Sequence, residues 1–339
     1  MLELLPALLL SAALAPQAGA QEPAAPPAAE KVLARALRGD LLGPQQTPGG
    51  PARGWMRFEQ VLDGQWVRCI GASLAGGQPV YSFVQMMRER DDGAVEAWRF
   101  DSTGQVSAWF GKAETRGMSL DWTDEEGAVL ARQEWGFENG DCDFRLLRRA
   151  SEGAAFTSQV AGLLRAGGQR PTWKPSAAAE LRLEQNPYAF YLGTFCGKES
   201  SVFGDSEGST RTEGILDGQW FHSSYRSEVA GRSAYSGQGF VRCGADGRYQ
   251  LHWFDTFGDH QVLDGALGED GAVAFLRDGE GDPVERHTDR YTAAGYTFRI
   301  EKRDGPDDPW KGFMTATYTR MAEPPPAPPG EDGEDGQGG

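Results

Sequence analysis

The sequence predicts an all-β protein built as two tandem antiparallel sheet domains, and three observations carry that expectation. The stretch Leu62-Asp63-Gly64-Gln65-Trp66 recurs as Leu216-Asp217-Gly218-Gln219-Trp220, an offset of 216 − 62 = 154 residues. Residues 39–149 align on residues 193–303 at that offset without a gap. They share roughly thirty identities, against about seven expected from average residue usage. Within each copy, short β-prone runs alternate with Asp-Gly and Gly-rich connections, which supply the positive φ that hairpin turns require. The period is too long for a solenoid repeat, so the chain is a duplicated domain.

The segments follow in order. Leu4 to Leu14 form an apolar run ending at Ala18-Gly19-Ala20, so residues 1–20 read as a secretory signal peptide too short to span a bilayer. Glu3 stands where a basic residue is usual. Residues 21–30 are Pro/Ala-rich and expected to be disordered. The stretch AAEKVLARALRG predicts a short helix opening the first domain, residues 31–166. Residues 167–179 form a Gly/Pro/Ala-rich linker, and AAAELRLEQN predicts a second short helix before the second domain, residues 180–321. Each helix would lie as a lid or plug over one end of its domain. Runs such as QWFHSSYR, AYSGQGFVR, YQLHWFDTF, YTFRIEKR and GFMTATYTR are the strands of the second copy. Eight or so strands per copy at even spacing predict a sandwich or barrel. Residues 322–339 are acidic and Pro/Gly-rich, and cannot bury apolar area.

A formal charge of −16 argues against nucleic acid or an anionic membrane surface as partner. No segment after residue 20 is apolar enough to be a transmembrane span. Cys69, Cys142, Cys196 and Cys243 form no CxxC pair, and none faces another cysteine under the 154 offset. Two disulfides that each stay within one copy, Cys69–Cys142 and Cys196–Cys243, stand as one expectation. Buried free thiols stand as the other. All four histidines, His222, His252, His260 and His287, lie in the second copy, with none of the close spacings that preorganise metal ligands, so neither metal nor cofactor is expected. The chain carries no nucleophile elbow, HExxH motif or phosphate-cradling loop before a helix, and no catalytic residue is assigned.

The second copy, from Tyr191 to Arg320, resembles the bacterial family known as domain of unknown function 1579. The matching residues are Leu192-Gly193-Thr194-Phe195, Glu213, Leu216 to Trp220, Trp253 to Gly258, Gly265 and the ending WKGFMTATYTR. The first copy looks like a diverged member. The resemblance implies lipocalin-like (calycin) up-and-down β-barrels in an exported bacterial protein, without an assigned activity.

In such barrels Trp66 and Trp220 are expected to fill the core. Asp101 and Asp255 are expected to cap their own turns. In the pairs Phe144-Arg145 and Phe298-Arg299, one partner must face inward. The candidate lining of a binding pocket is Trp220, Tyr235, His252 or Trp253, Phe254, Phe298 and Arg299 in the second copy. In the first it is Trp66, Tyr81, Trp98 and Phe100. The expected function is non-catalytic binding of a small apolar molecule inside a barrel, in the periplasm or outside the cell. One alternative is an interaction module with solid barrels. Another is an enzyme using the histidines of the second copy.

Overall fold

The two copies form two closed antiparallel barrels of ten strands each. This structure, a computed structural model, describes residue 33 and residues 39–322 except 168, 173–175, 245, 269–270, 280–281 and 293. The expected signal peptide, the Pro/Ala-rich segment, the tail from 323 and, apart from Leu33, the first helix lie outside the described residues. Among those described, no helix is long and apolar enough to cross a membrane.

In the first barrel the strands are β1 (Gly39–Thr47), β2 (Gly50–Val61), β3 (Trp66–Ala75), β4 (Gln78–Glu89), β5 (Ala94–Asp101), β6 (Val106–Glu114), β7 (Gly117–Thr123), β8 (Val129–Glu138), β9 (Asp141–Arg148) and β10 (Thr157–Ala166). Each pairs with the next, and β10 closes on β1. The second barrel repeats the circuit with β11 (Gly193–Ser201), β12 (Gly204–Ile215), β13 (Trp220–Val229), β14 (Arg232–Cys243), β15 (Arg248–Asp255), β16 (His260–Leu267), β17 (Val273–Gly279), β18 (Asp282–Thr292), β19 (Gly295–Lys302) and β20 (Lys311–Arg320). Helix α1 (Ala177–Gln185) and a 3-10 turn at Pro187–Tyr191 precede it.

Ten strands per copy exceed the eight or so that the sequence suggests. The reason is visible in β11 and β12, whose glycines and serines break the apolar alternation. A Cβ added at Gly197 would lie 2.0 Å from the Thr317 carbonyl oxygen, so the wall closes only because that side chain is absent.

Each barrel has an aromatic and aliphatic core, and a third core lies between the barrels. Leu62, Trp66, Val84, Met86 and Phe100 of the first pack on Leu216, Trp220, Phe240 and Phe254 of the second. At about 1.5–3 kcal/mol for each fully buried large side chain, this interface binds the barrels firmly. It answers why the repeated pentapeptide exists. Leu62 and Asp63 adopt left-handed backbone (φ 54° and 55°), as do Leu216 and Asp217 (52° and 57°). That tight turn swings each Leu into the shared core and aims each Trp at the other barrel. Trp66 Nε1 donates to the Asp255 carbonyl at 3.1 Å, and Trp220 Nε1 donates to the Asp101 carbonyl at 3.0 Å. Arg88 donates to the Gly258 carbonyl, while Arg242 packs on Gly104. Every such contact is matched by its counterpart 154 residues away, so the barrels are related by a pseudo-twofold axis. Arg68 Nη1 lies 3.4 Å from His222 Nε2, and since these are equivalent positions they sit on that axis.

Candidate functional site

The register sorts the expected lining residues into two groups. Tyr81, Tyr235, Trp253 and Phe298 face the barrel interiors: Trp253 Nε1 donates to the Tyr235 hydroxyl at 2.7 Å, and Phe298 pairs with inward Asp289. Trp66, Trp98, Phe100, Trp220, His252 and Phe254 face outward into the inter-barrel contact, which corrects their placement as barrel lining. The question of His252 against Trp253 resolves with Trp253 inside. Both arginines of the Phe-Arg pairs point out: Arg299 bonds Glu301 at 2.7 Å, and Arg145 bonds Asp143 at 3.2 Å. Asp101 and Asp255 do cap their own turns. Asp255 Oδ1 accepts the Phe257 and Asp259 amides at 2.9 and 3.0 Å, and Asp101 Oδ1 accepts those of Thr103 and Gln105.

The four imidazoles do not converge on one cleft. His252 and His260 form a pair 3.2 Å apart at the interface, where burial holds them near about 4 and about 3, so both are neutral at pH 7. His222 bonds Glu213 on the axis, and His287 bonds Glu285 at 2.6 Å inside the second barrel. Burial works to raise Glu285, but His287, Lys302 and Arg277 outweigh it and pull its carboxyl to about 2. Among the described residues no group of three or more His, Cys, Asp or Glu could hold a metal ion.

The four cysteines are free thiols in this structure. Cys69 and Cys142 lie in the first core, where burial raises both, Cys142 to about 12. Cys196 follows inward Phe195 and so faces out, whereas Cys243 sits opposite inward Tyr249. Opposite faces of the wall keep those two apart.

The second interior holds eight of the nine tyrosines of the chain. One end is plugged. Ser176 caps α1, and the 3-10 turn inserts Tyr188 and Tyr191 among Phe221, Tyr249, Phe275 and Tyr296. The Tyr191 hydroxyl donates to Asp289, whose carboxyl is pushed up to about 7 by burial.

At the opposite end the barrel opens into a groove of about 570 Å³ bounded by β11, β12, β20 and the β13–β14 turn. Glu199, only 3% exposed, is among its lining residues. The hydroxyls of Tyr225, Tyr318, Ser206 and Ser227 all donate to this one carboxylate, at 2.6–2.7 Å for the Tyr225 and serine bonds. Two donors reach each oxygen, Tyr225 and Tyr318 at Oε1 and Ser206 and Ser227 at Oε2, which fixes the carboxylate in place. Among the described residues no cation lies within ion-pairing distance of it. A Cβ at Gly208 would lie 1.8 Å from Glu199 Oε1, so this glycine makes the space for the carboxylate. Asp205, Glu207 and Glu228 add negative charge to the groove against Lys198 alone. The bordering β11–β12 turn exposes Val202 and Phe203, the latter 78% exposed. The sequence reading missed this site. Its available signal was the offset comparison, in which Glu199, Ser206, Tyr225 and Tyr318 replace Gln45, Ala52, Gly71 and Leu164.

No family model matches the chain, so the resemblance to domain of unknown function 1579 has no such support. No curated protein matches it either. Among solved structures, Rv2717c from M. tuberculosis is similar at a TM-score of 0.34 and 11% identity, over 44% of this chain and all of that one. A protein of unknown function from the DUF3598 family of Nostoc punctiforme is similar at a TM-score of 0.28 and 10% identity, over 86% of this chain and 99% of that one.

Proposed function

We propose that this is a non-catalytic binding protein whose second barrel receives, through its open end, a small amine carrying an apolar group. The observation that supports this most is Glu199: a buried carboxylate held by four hydroxyls, with no ion-pair partner among the described residues, in the lining of an open acidic groove. A preorganised negative charge in a low-dielectric recess favours a cationic head. The groove has the volume of small-molecule sites, and Val202 and Phe203 at its rim offer apolar contact to the rest of the ligand. This keeps the expected binding barrel but replaces a wholly apolar ligand with an amphiphilic one.

Isothermal titration with dodecylamine, dodecanol and laurate tests it. Dodecylamine is expected to bind, laurate not, and Glu199→Gln to weaken the amine at least tenfold. Equal binding of all three, or an unchanged affinity in Glu199→Gln, overturns the reading. Residues 1–20 carry the proposal that binding takes place outside the cytoplasm. N-terminal sequencing of protein from its own host is expected to start at Gln21, and retention of Met1 or Leu2 overturns export.

A further inference from the structure

The first barrel holds a charge of the opposite sign at a different place. Arg99 on β5 points inward and is 5% exposed. Its guanidinium lies 3.7 Å over the Phe83 ring and beside Tyr81, yet Nη1 has no hydrogen-bond partner. Asp101, the near carboxylate, is occupied by its own turn and by the Tyr81 hydroxyl at 3.1 Å. No carboxylate among the described residues pairs with Arg99.

Gln85 stands directly opposite Arg99 in the β4–β5 register and is fully buried. Its Nε2 donates to Gln133 Oε1 at 3.2 Å, reaching β8 on the far wall. Gln133 Oε1 also accepts Trp135 Nε1 at 3.2 Å. Two further atoms are left over, both buried and unpartnered: Gln85 Oε1 and Gln133 Nε2. Three strands therefore bring together a charged donor, an amide donor and an amide acceptor. Leaving a nitrogen of a buried guanidinium without a partner costs more than leaving an amide atom so. In the second barrel the same three positions are Trp253, Gly239 and His287, and Trp253 Nε1 is satisfied by Tyr235. The cluster is thus private to the first barrel and is not part of the duplicated scaffold.

We infer that Arg99, Gln85 and Gln133 form an internal site for a small oxyanion bearing one hydroxyl, of which bicarbonate is the smallest. Arg99 Nη1 and Gln133 Nε2 donate to its charged oxygens, and its hydroxyl donates to Gln85 Oε1. Phe83, Cys69 and Trp135 belong to the same buried core, Cys69 opposite Gln85 in the β3–β4 register and Trp135 bonded to Gln133, so only a ligand of a few atoms suits the cluster.

The test is thermal unfolding of the full chain at pH 8 in sodium bicarbonate, formate, nitrate or chloride at equal ionic strength. A ligand that binds only the folded state raises the midpoint. Bicarbonate is expected to raise it by several degrees over the other three, and Arg99→Met to remove the difference. Should Arg99→Met not fold, Gln133→Glu supplies its own carboxylate to Arg99 and is expected to fold and ignore bicarbonate. A crystal structure in bicarbonate is expected to show a planar four-atom density between the three side chains. Equal midpoints in all four salts, or separate water peaks at the cluster, overturn the site. Formate acting as strongly as bicarbonate overturns the role given to Gln85.

Discussion

A buried charge survives only if hydrogen bonds or an opposite charge replace its lost water, and Glu199 relies on hydroxyls alone. That dependence extends to the residue opposite. Gly208→Ala forces a methyl into the carboxylate and is expected to cost about 1–3 kcal/mol by overpacking. Urea unfolding measures the loss, and amine binding falls with it. The histidine pair makes a second prediction. His252 and His260 are held by burial near about 4 and about 3, below the 6.5 of an exposed imidazole. Between those values the unfolded chain binds more protons than the folded one. Their contribution is therefore complete above pH 6.5 and is lost as the pH falls toward 4, on the order of 3 kcal/mol for His252. His252→Gln is expected to flatten that part of the stability–pH curve.

At the scale of elements, the β12–β13 turn is the dock for α1. Asp217 accepts from Ser176 Oγ at 2.8 Å and from Arg182, and α1 lays Ala179 and Leu183 on Gly218 and Gly214. Asp217→Ala is expected to loosen the plug without opening the wall, seen as faster amide exchange over residues 177–191 and unchanged exchange in β13. The duplication was legible from LDGQW, and so were the hairpins, the short helix before the second barrel and the capping aspartates; the plug itself is the 3-10 turn that follows that helix. The direction of β5 and β15 was not. In HWF and WRF both faces of the strand carry buried side chains, one against its own core and one against the other barrel, so the alternation that marks an inner face is erased. Glu199 escaped notice for a related reason. GTFCGKESS has glycines and serines where a lining strand usually shows apolar residues, because the space there is taken by the carboxylate and its donors.

For the whole molecule, the paired tryptophans couple the barrels, and the β2–β3 turn of one lies against the β15–β16 turn of the other. Trp66→Ala and Trp220→Ala are each expected to cost about 3–5 kcal/mol and to lower the calorimetric cooperativity between the barrels. Expressed alone, residues 176–322 present Trp220, Phe240 and Phe254 to water. Since Trp220 and the Asp255 carbonyl of two such copies can satisfy one another, sedimentation is expected to show a twofold dimer. A monomer that binds no apolar dye would contradict the interface described above.

The meeting of Arg68 with His222 carries a historical implication. In a homodimeric ancestor any substitution at that spot would have faced its own duplicate, and two guanidiniums there would repel. Joining the halves in one gene removed that palindromic constraint, so each side could change without its mirror image following. The same freedom allowed one cylinder to acquire an internal anion and the other an internal cation. Arg99 is buried in the first barrel and Glu199 in the second, and the equivalent positions of the other copy, Trp253 and Gln45, carry no charge.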